Sequence, residues 1–407
     1  MSDGLRRIAM VSMHTSPADL PGRGDAGGMN VAMLGVAQEL ARRGVEVDLL
    51  TRATAAPFER ELADGVTLRS LAAGPQTPLP KNRLVEVADE FGEAVAALAG
   101  RLAPRYDLIH AHYWLSGLAT LPVAIELGIP FVQSFHTIGA MKNRSLAPGD
   151  EPEQEGRLRG EAFLGNQSDA VVAASAAEVM TLIDELHTPA ERLWVIPPGV
   201  DAELFTPHRA RNDASIRRAL GLEPDRPLLV MAGRLQPLKG QELGIRILAE
   251  LSMVSPPPIL VIAGDAVDEG YRERLVELAE SLGLAADVRF VGSLEREPLA
   301  DLFATAEFTL VTSHSETFGL VALESAASGT PVLAYRGTGL VESVGDHESG
   351  YLLDSRDPAD WAGAILQHRV DGDTVAAMRR SARTFAEGFT WATSAASHLA
   401  LYESLIA

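Results

Sequence analysis

The chain has 407 residues, 46% of them hydrophobic, a formal net charge of −20 and no cysteine. At roughly 100–200 residues per domain this length gives two to four domains, two being the simplest count. The missing Cys excludes disulfides, cysteine-bound zinc and thiol nucleophiles, and the acidic balance excludes a surface built to seek nucleic acid or anionic lipid.

Apolar, β-branched runs alternate with helical-period segments along the whole chain, the pattern of helices packed on parallel sheets in an α/β protein. Strands are expected at 6–13, 45–52, 66–73, 106–113, 130–137, 169–175 and 192–198. The pattern restarts at RPLLVMAGRL and continues through PPILVIAGD, DVRFVGS, EFTLVTS, TPVLAYRG and SGYLLD, a second parallel sheet. The Pro-rich VIPPGVD between the two sets the boundary. Residues 1–198 then form one Rossmann-like domain, 199–385 a second, and 386–407 a terminal helix that can pack back on the first. No stretch approaches the ~18 apolar residues of a membrane span, and MSDGLRRIAM lacks an apolar leader core, so a cytoplasmic protein without membrane partners is expected. Open α/β sheets bind ligands beyond their strand C-termini, so two such sheets place chemistry in the cleft between them.

Four strand-end loops carry the candidates. GDAGGMN (24–30) joins the first strand to the first helix. Its glycines serve a tight turn or a ligand touching the backbone, and the segment alone does not decide which. It fails G-x-G-x-x-G and lacks GK[ST], so neither a dinucleotide nor a P-loop nucleotide is supported. RLQPLKG (234–240) sets Arg234 and Lys239 five residues apart across a turn, able to converge on one pair of phosphates. Lys239 is one of only three lysines, with Lys81 and Lys142. ETFGLVALE (316–324) separates Glu316 and Glu324 by about 12 Å if wholly helical. That exceeds the roughly 5–9.5 Å of a hydrolytic carboxyl pair and suits hydroxyls on two different rings. Amides of Phe318, Gly319 and Leu320 would face phosphate or sugar oxygens; alternatively Glu324 is a solvent-facing helix residue and Glu316 a helix-start charge. SFHT (134–137) brings His136 and Thr137 to the cleft, while nothing in chain order forces Lys81, Tyr113, Thr137 and Arg157 together.

The two-sheet layout, PPGVD, GRLQPLKG and the paired glutamates of ETFGLVALE with the following SGTPVLA resemble the retaining GT-B glycosyltransferases over essentially the whole chain. More narrowly, MVSMHTSP, GDAGGMNV, HYWLSG and FHTIGAMKN resemble the mycothiol-pathway branch, which moves N-acetylglucosamine from its UDP donor to an inositol phosphate. The resemblance implies that Arg234 and Lys239 hold the donor diphosphate, Glu324 the ribose, and Glu316 with the 318–320 amides the transferred sugar. Gly28 would let the loop approach the diphosphate, and His136 would meet the sugar near its 6-hydroxyl. Lys81, Tyr113, Thr137 and Arg157 would take an acceptor phosphate; His14, Asp25 and Asn30 would address the cyclitol. It also implies no metal or cofactor beyond the nucleotide-sugar donor, small-molecule partners only, and leaves a homodimer open. YRGTGLVES departs from the family's Gly-Gly-Leu through Arg336 and Thr338, 51–80 is shortened, and ETFG replaces Ser-Phe-Gly. These departures support a second reading: a natural-product glycosyltransferase using a UDP- or GDP-sugar on an aminocyclitol or an ergothioneine-like thiol. A glycan phosphorylase would need Lys239 for a cofactor, and a non-catalytic nucleotide-sugar sensor would bind donor without turnover.

Overall fold

A computed structural model describes residues 4–337, 339–368 and 372–407. The first half contains β1 (Arg7–Val11), β2 (Glu46–Arg52), β3 (Glu59–Ala63), β4 (Val66–Leu71), β5 (Leu108–His112), β6 (Phe131–Ser134), β7 (Ala170–Ala173) and β8 (Leu193–Val195). They form one sheet in the order β3-β4-β2-β1-β5-β6-β7-β8. The second half contains β9 (Leu228–Ala232), β10 (Ile259–Ala263), β11 (Val288–Gly292), β12 (Phe308–Val311), β13 (Val332–Tyr335) and β14 (Gly350–Leu353), ordered β11-β10-β9-β12-β13-β14. All pairings are parallel except β3 with β4.

Strands such as RIAMV and ILVIA are buried at every position because helices cover both faces of each sheet. One core face of the first domain gathers Phe91, Phe131 and Phe135, and the other gathers Met10, Val47 and Leu108. In the second domain Tyr271 and Trp361 fill one face, Phe205 and Phe303 the other. The antiparallel β3 was not expected from the sequence. Its residues ERELA are exposed or half-exposed and carry no apolar periodicity; the strand exists through backbone pairing to β4 and an Arg69–Glu59 ion pair.

The chain crosses between domains twice, side by side. Val200 N–H donates to the Phe389 carbonyl at 3.0 Å, and a Cβ at Gly199 would lie 2.2 Å from the Trp391 nitrogen, so only glycine permits this approach. The helix Trp391–Ile406 then lies on the first sheet's helix Gly28–Ala41 and buries Ala395, Leu401 and Tyr402 in that domain's core. Burial of each large side chain stabilises by about 1.5–3 kcal/mol, so the C-terminal segment is structurally part of the N-terminal half.

Candidate active site

Strand order reverses between β1 and β5 in the first sheet and between β9 and β12 in the second. Such switch points open a crevice at the strand C-termini, and every loop singled out above follows one of these central strands or its neighbour.

The loop after β1 spans the cleft. Gly22 carbonyl accepts from Asp265 N–H at 3.1 Å, and Arg234 Nη1 donates to Gly24 carbonyl at 3.2 Å and Asp25 Oδ1 at 3.4 Å. Asp25 also receives Lys81 Nζ at 3.2 Å, so one carboxylate bridges a cation from each domain. Gly28 opens the first helix, and a Cβ there would approach Leu320 Cδ1 of the second domain to 3.3 Å. Asn30 does not reach the cleft. It is 1% exposed; its Oδ1 accepts from Gly27 N–H at 2.9 Å, and its Nδ2 donates to Ser16 carbonyl at 2.7 Å and Thr15 Oγ1 at 3.3 Å. This side chain caps the helix start and ties down the loop instead of addressing an acceptor.

Tyr113 and His136, which follow β5 and β6, have φ of 72° and 59°, left-handed conformations that cost non-glycine residues strain and concentrate at functional sites. Lys81 Nζ lies 4.5 Å and Arg157 Cζ 5.1 Å from the Tyr113 ring centroid, and the His14 ring centroid lies 4.4 Å away. Arg157 Nη2 donates to the carbonyl of Thr137 at 2.9 Å and to its Oγ1 at 3.0 Å, while Nε and Nη1 meet Glu161 and Glu153. The four residues that chain order left apart are thus one cluster. Burial, reinforced by Lys81, holds the His14 imidazole well below its usual pKa.

On the second domain, Thr312 Oγ1 donates to the carbonyls of Lys239 and Gly240 at 3.0 and 2.8 Å, fixing the turn after β9. Lys239 Nζ meets Glu316 Oε1 at 2.5 Å, and Ser313 Oγ donates to the same oxygen at 2.8 Å. Gly319, at φ 94°, turns the chain into the helix Leu320–Ala327. Glu316 therefore sits in the loop ahead of that helix. Thr317 Oγ1 donates across the cleft to the His136 carbonyl at 2.8 Å, bracing the strained residue from the other domain.

These groups line one cavity of about 240 Å³: His14, Asp25, Gly28, Lys81, Tyr113, His136, Thr137, Arg234, Lys239, Glu316, Phe318, Gly319 and Leu320 are in its wall. Arg157 stands behind Tyr113 and Thr137, outside that wall. Glu324 also lies outside it, and it is buried, not solvent-facing; burial raises its carboxyl to about 7, with Arg296 3.5 Å away opposing. Arg336, one of the departures from the family pattern, ion-pairs with Asp346 and Asp354 at the β14 side of the sheet. Thr338 lies outside the described residues. Sequence reasoning gave no role to Lys142, His112 or the C-terminal Trp391, Ser394 and His398, all in the cavity wall. The rarity of lysine was a signal for Lys142; the C-terminal residues gave none, because only the return crossing brings them there. Among the described residues, no three His, Asp or Glu side chains converge as a metal-binding group.

Both halves match known families: Glycosyltransferase Family 4 over residues 26–204 and Glycosyl transferases group 1 over residues 212–385. D-inositol 3-phosphate glycosyltransferase from Thermobifida fusca is 42% identical over 409 residues, covering 98% of this chain and 94% of the relative. The chain belongs to the GT-B glycosyltransferases. The enzyme of the same name from Nocardiopsis dassonvillei is 45% identical to this glycosyltransferase over 373 residues, 89% of this chain and 86% of the relative. Sucrose-phosphate synthase from Thermosynechococcus elongatus superposes on this glycosyltransferase with a TM-score of 0.88 at 30% identity, over 98% of this chain and 99% of that one. Anabaena HepE, solved in complex with UDP and glucose, shares the fold at 22% identity with a TM-score of 0.77, covering 98% and 99% of the two chains. No helix among the described residues is long and apolar enough to cross a membrane.

Proposed function

We propose that this glycosyltransferase moves N-acetylglucosamine from UDP-N-acetylglucosamine to an inositol phosphate with retention of anomeric configuration. The observation that carries the reading is one cavity with a cation cluster on each side: Lys81 on Tyr113 with Arg157 behind, facing Arg234 and Lys239. An acceptor phosphate and a donor diphosphate match two such clusters, and the names of the relatives agree with that acceptor.

In this reading Arg234 and Lys239 hold the diphosphate, Glu316 and the 318–320 amides the sugar, and buried Glu324 the ribose hydroxyls. His136 meets the sugar beside its reacting face. Lys81, Tyr113 and Thr137 take the acceptor phosphate with Arg157 adding its charge from behind them, His14 and Asp25 flank the cyclitol, and Asn30 contributes through the loop it holds. The bond from the sugar's anomeric carbon to the β-phosphate oxygen breaks and its electron pair stays on UDP. The acceptor hydroxyl oxygen bonds to that carbon on the same face, and its proton goes to the departing phosphate. Cations already in place stabilise the developing charge without reorganisation. The aminocyclitol or thiol reading drew on Arg336, whose guanidinium is committed to ion pairs with Asp346 and Asp354.

The test is incubation with UDP-N-acetylglucosamine and inositol 3-phosphate, with mass analysis of product and NMR of the new anomeric centre. An α-linked N-acetylhexosaminyl inositol phosphate is expected. Turnover only with a GDP-sugar, or only with an aminocyclitol or thiol acceptor, overturns the reading.

A further inference from the structure

The ring of His136 is held by a residue with no part in the scheme above. Its Nε2 lies 2.7 Å from Nδ1 of His112, the last residue of β5. The ring centroids are 5.0 Å apart and the planes differ by 22°, so the two imidazoles meet nearly edge to edge in a common plane, the geometry of an N–H···N hydrogen bond. His112 is itself fixed, buried at 3% exposure with the His110 ring packed on it at 4.1 Å. His110 is anchored in turn through Tyr402 Oη at 2.7 Å and Ser134 Oγ at 2.9 Å.

A hydrogen bond between two neutral imidazoles contains one proton, and its position decides what each ring shows on its far side. If the proton sits on His136 Nε2, its Nδ1 is a bare acceptor and His112 Nε2 must carry a hydrogen. His112 Nε2 is buried without a partner among the described residues. That arrangement would bury an orphaned N–H, rarer and costlier in native structures than an unused acceptor. If the proton sits on His112 Nδ1 instead, His112 Nε2 is only an unused lone pair and His136 carries its hydrogen on Nδ1. Burial keeps both rings neutral, with His136 lowered to about 3, so no second proton removes the choice.

We infer that His112 is a positioning residue that fixes His136 as the Nδ1–H tautomer, so that His136 offers the bound sugar a hydrogen-bond donor and not a base. The role rests on the proposed sugar contact of His136, whereas the tautomer does not. The strained φ of His136 and the Thr317 bond to its carbonyl fix the backbone; His112 fixes the ring.

Nitrogen-15 NMR of the histidine-labelled, ligand-free protein at pH 7.5 reads the tautomer directly, with His136→Gln assigning the signal. A protonated Nδ1 on His136 is expected, and a protonated Nε2 overturns the inference even if no variant can be made. In the kinetic arm, His112→Asn keeps a carboxamide donor near the Nδ1 position, while His112→Phe keeps ring volume without any donor. Phe is expected to abolish the fixed tautomer and lower kcat about 10–100-fold with the donor KM changed less than about twofold, as for other outer positioning partners. Asn is expected to restore both. Equal kcat in Phe, Asn and unsubstituted protein overturns the positioning role. If UDP-N-acetylglucosamine is not turned over while His136 shows Nδ1–H, the substrate assignment fails and the tautomer assignment stands.

Discussion

Lys239 and Asp25 show how single side chains are held in the cleft. Each cation facing the cavity already has a carboxylate: Glu316 on Lys239, Glu153 on Lys142, and Asp25 shared by Lys81 and Arg234. In the proposed reading Lys239 stands where negative charge builds on the leaving diphosphate. Lys239→Ala is therefore expected to lower kcat about 10²–10³-fold at saturating donor, measured by UDP release. In the same reading Asp25 competes with incoming phosphates for its two cations. Its pairs are about one-third exposed and are worth only ~0.2–1 kcal/mol each, so Asp25→Asn should bind UDP about two- to fivefold more tightly by calorimetry. Weaker binding would mean that the carboxylate supports the site in place of occupying it. The cations were legible in the sequence because loops that end strands expose them and lysine is scarce. Their counter-ions were not, because Asp25 and Lys81 are 56 residues apart in sequence.

At the scale of elements, the parallel strands were readable because burial on both faces leaves continuous β-branched runs. The edge strand β3 was not, since an exposed antiparallel strand needs no apolar pattern. The C-terminal helix depends on a backbone contact. Gly199 lies against Thr390 and Trp391, and Thr390 caps the helix by accepting from Thr393 N–H at 3.0 Å. A methyl at Gly199 would meet main-chain atoms that cannot rotate away. Gly199→Ala should cost at least about 1–3 kcal/mol and lower Tm by several degrees in a thermal melt. Because the helix supplies Trp391, Ser394 and His398 to the cavity, the same variant should lose activity below its melting range.

For the whole molecule, buried titratable groups set the pH range of stability. His14, His110, His112, His136 and His398 all have imidazoles held below the usual 6.5, chiefly by burial. Below pH 6.5 the unfolded chain takes up protons at these five sites that the folded chain refuses, so stability falls with acid. Glu178 and Glu324 act oppositely: burial raises both to about 7, so the folded chain binds protons there first. With His314 and His368 seven histidines are held down, against four raised carboxyls once Asp150 and Glu161 join Glu178 and Glu324, so at about 1.4 kcal/mol per net proton per pH unit the Tm should drop between pH 6.5 and 5. Glu178→Gln removes one opposing group. Its carboxylate is destabilising once pH exceeds the folded value near 7 and harmless below the unfolded value near 4.5, so the variant should gain Tm at pH 8 and none at pH 4.5. An equal shift at both pH values would assign the effect to packing.

The sequence by itself determined the two α/β sheets, the loops that carry chemistry and the residue types in them, because strand burial and turn chemistry are local. It also contained the family resemblance, since the motifs are contiguous. Only the tertiary structure decided which of those residues share one space: that Lys81, Tyr113, Thr137 and Arg157 cluster, that Asn30 is spent on its loop, that Arg336 faces Asp346 and Asp354, and that a C-terminal helix walls the cavity. Those outcomes depend on crossings between strands far apart in the chain and on the competition of partners for each buried polar atom, neither of which is written in local spacing.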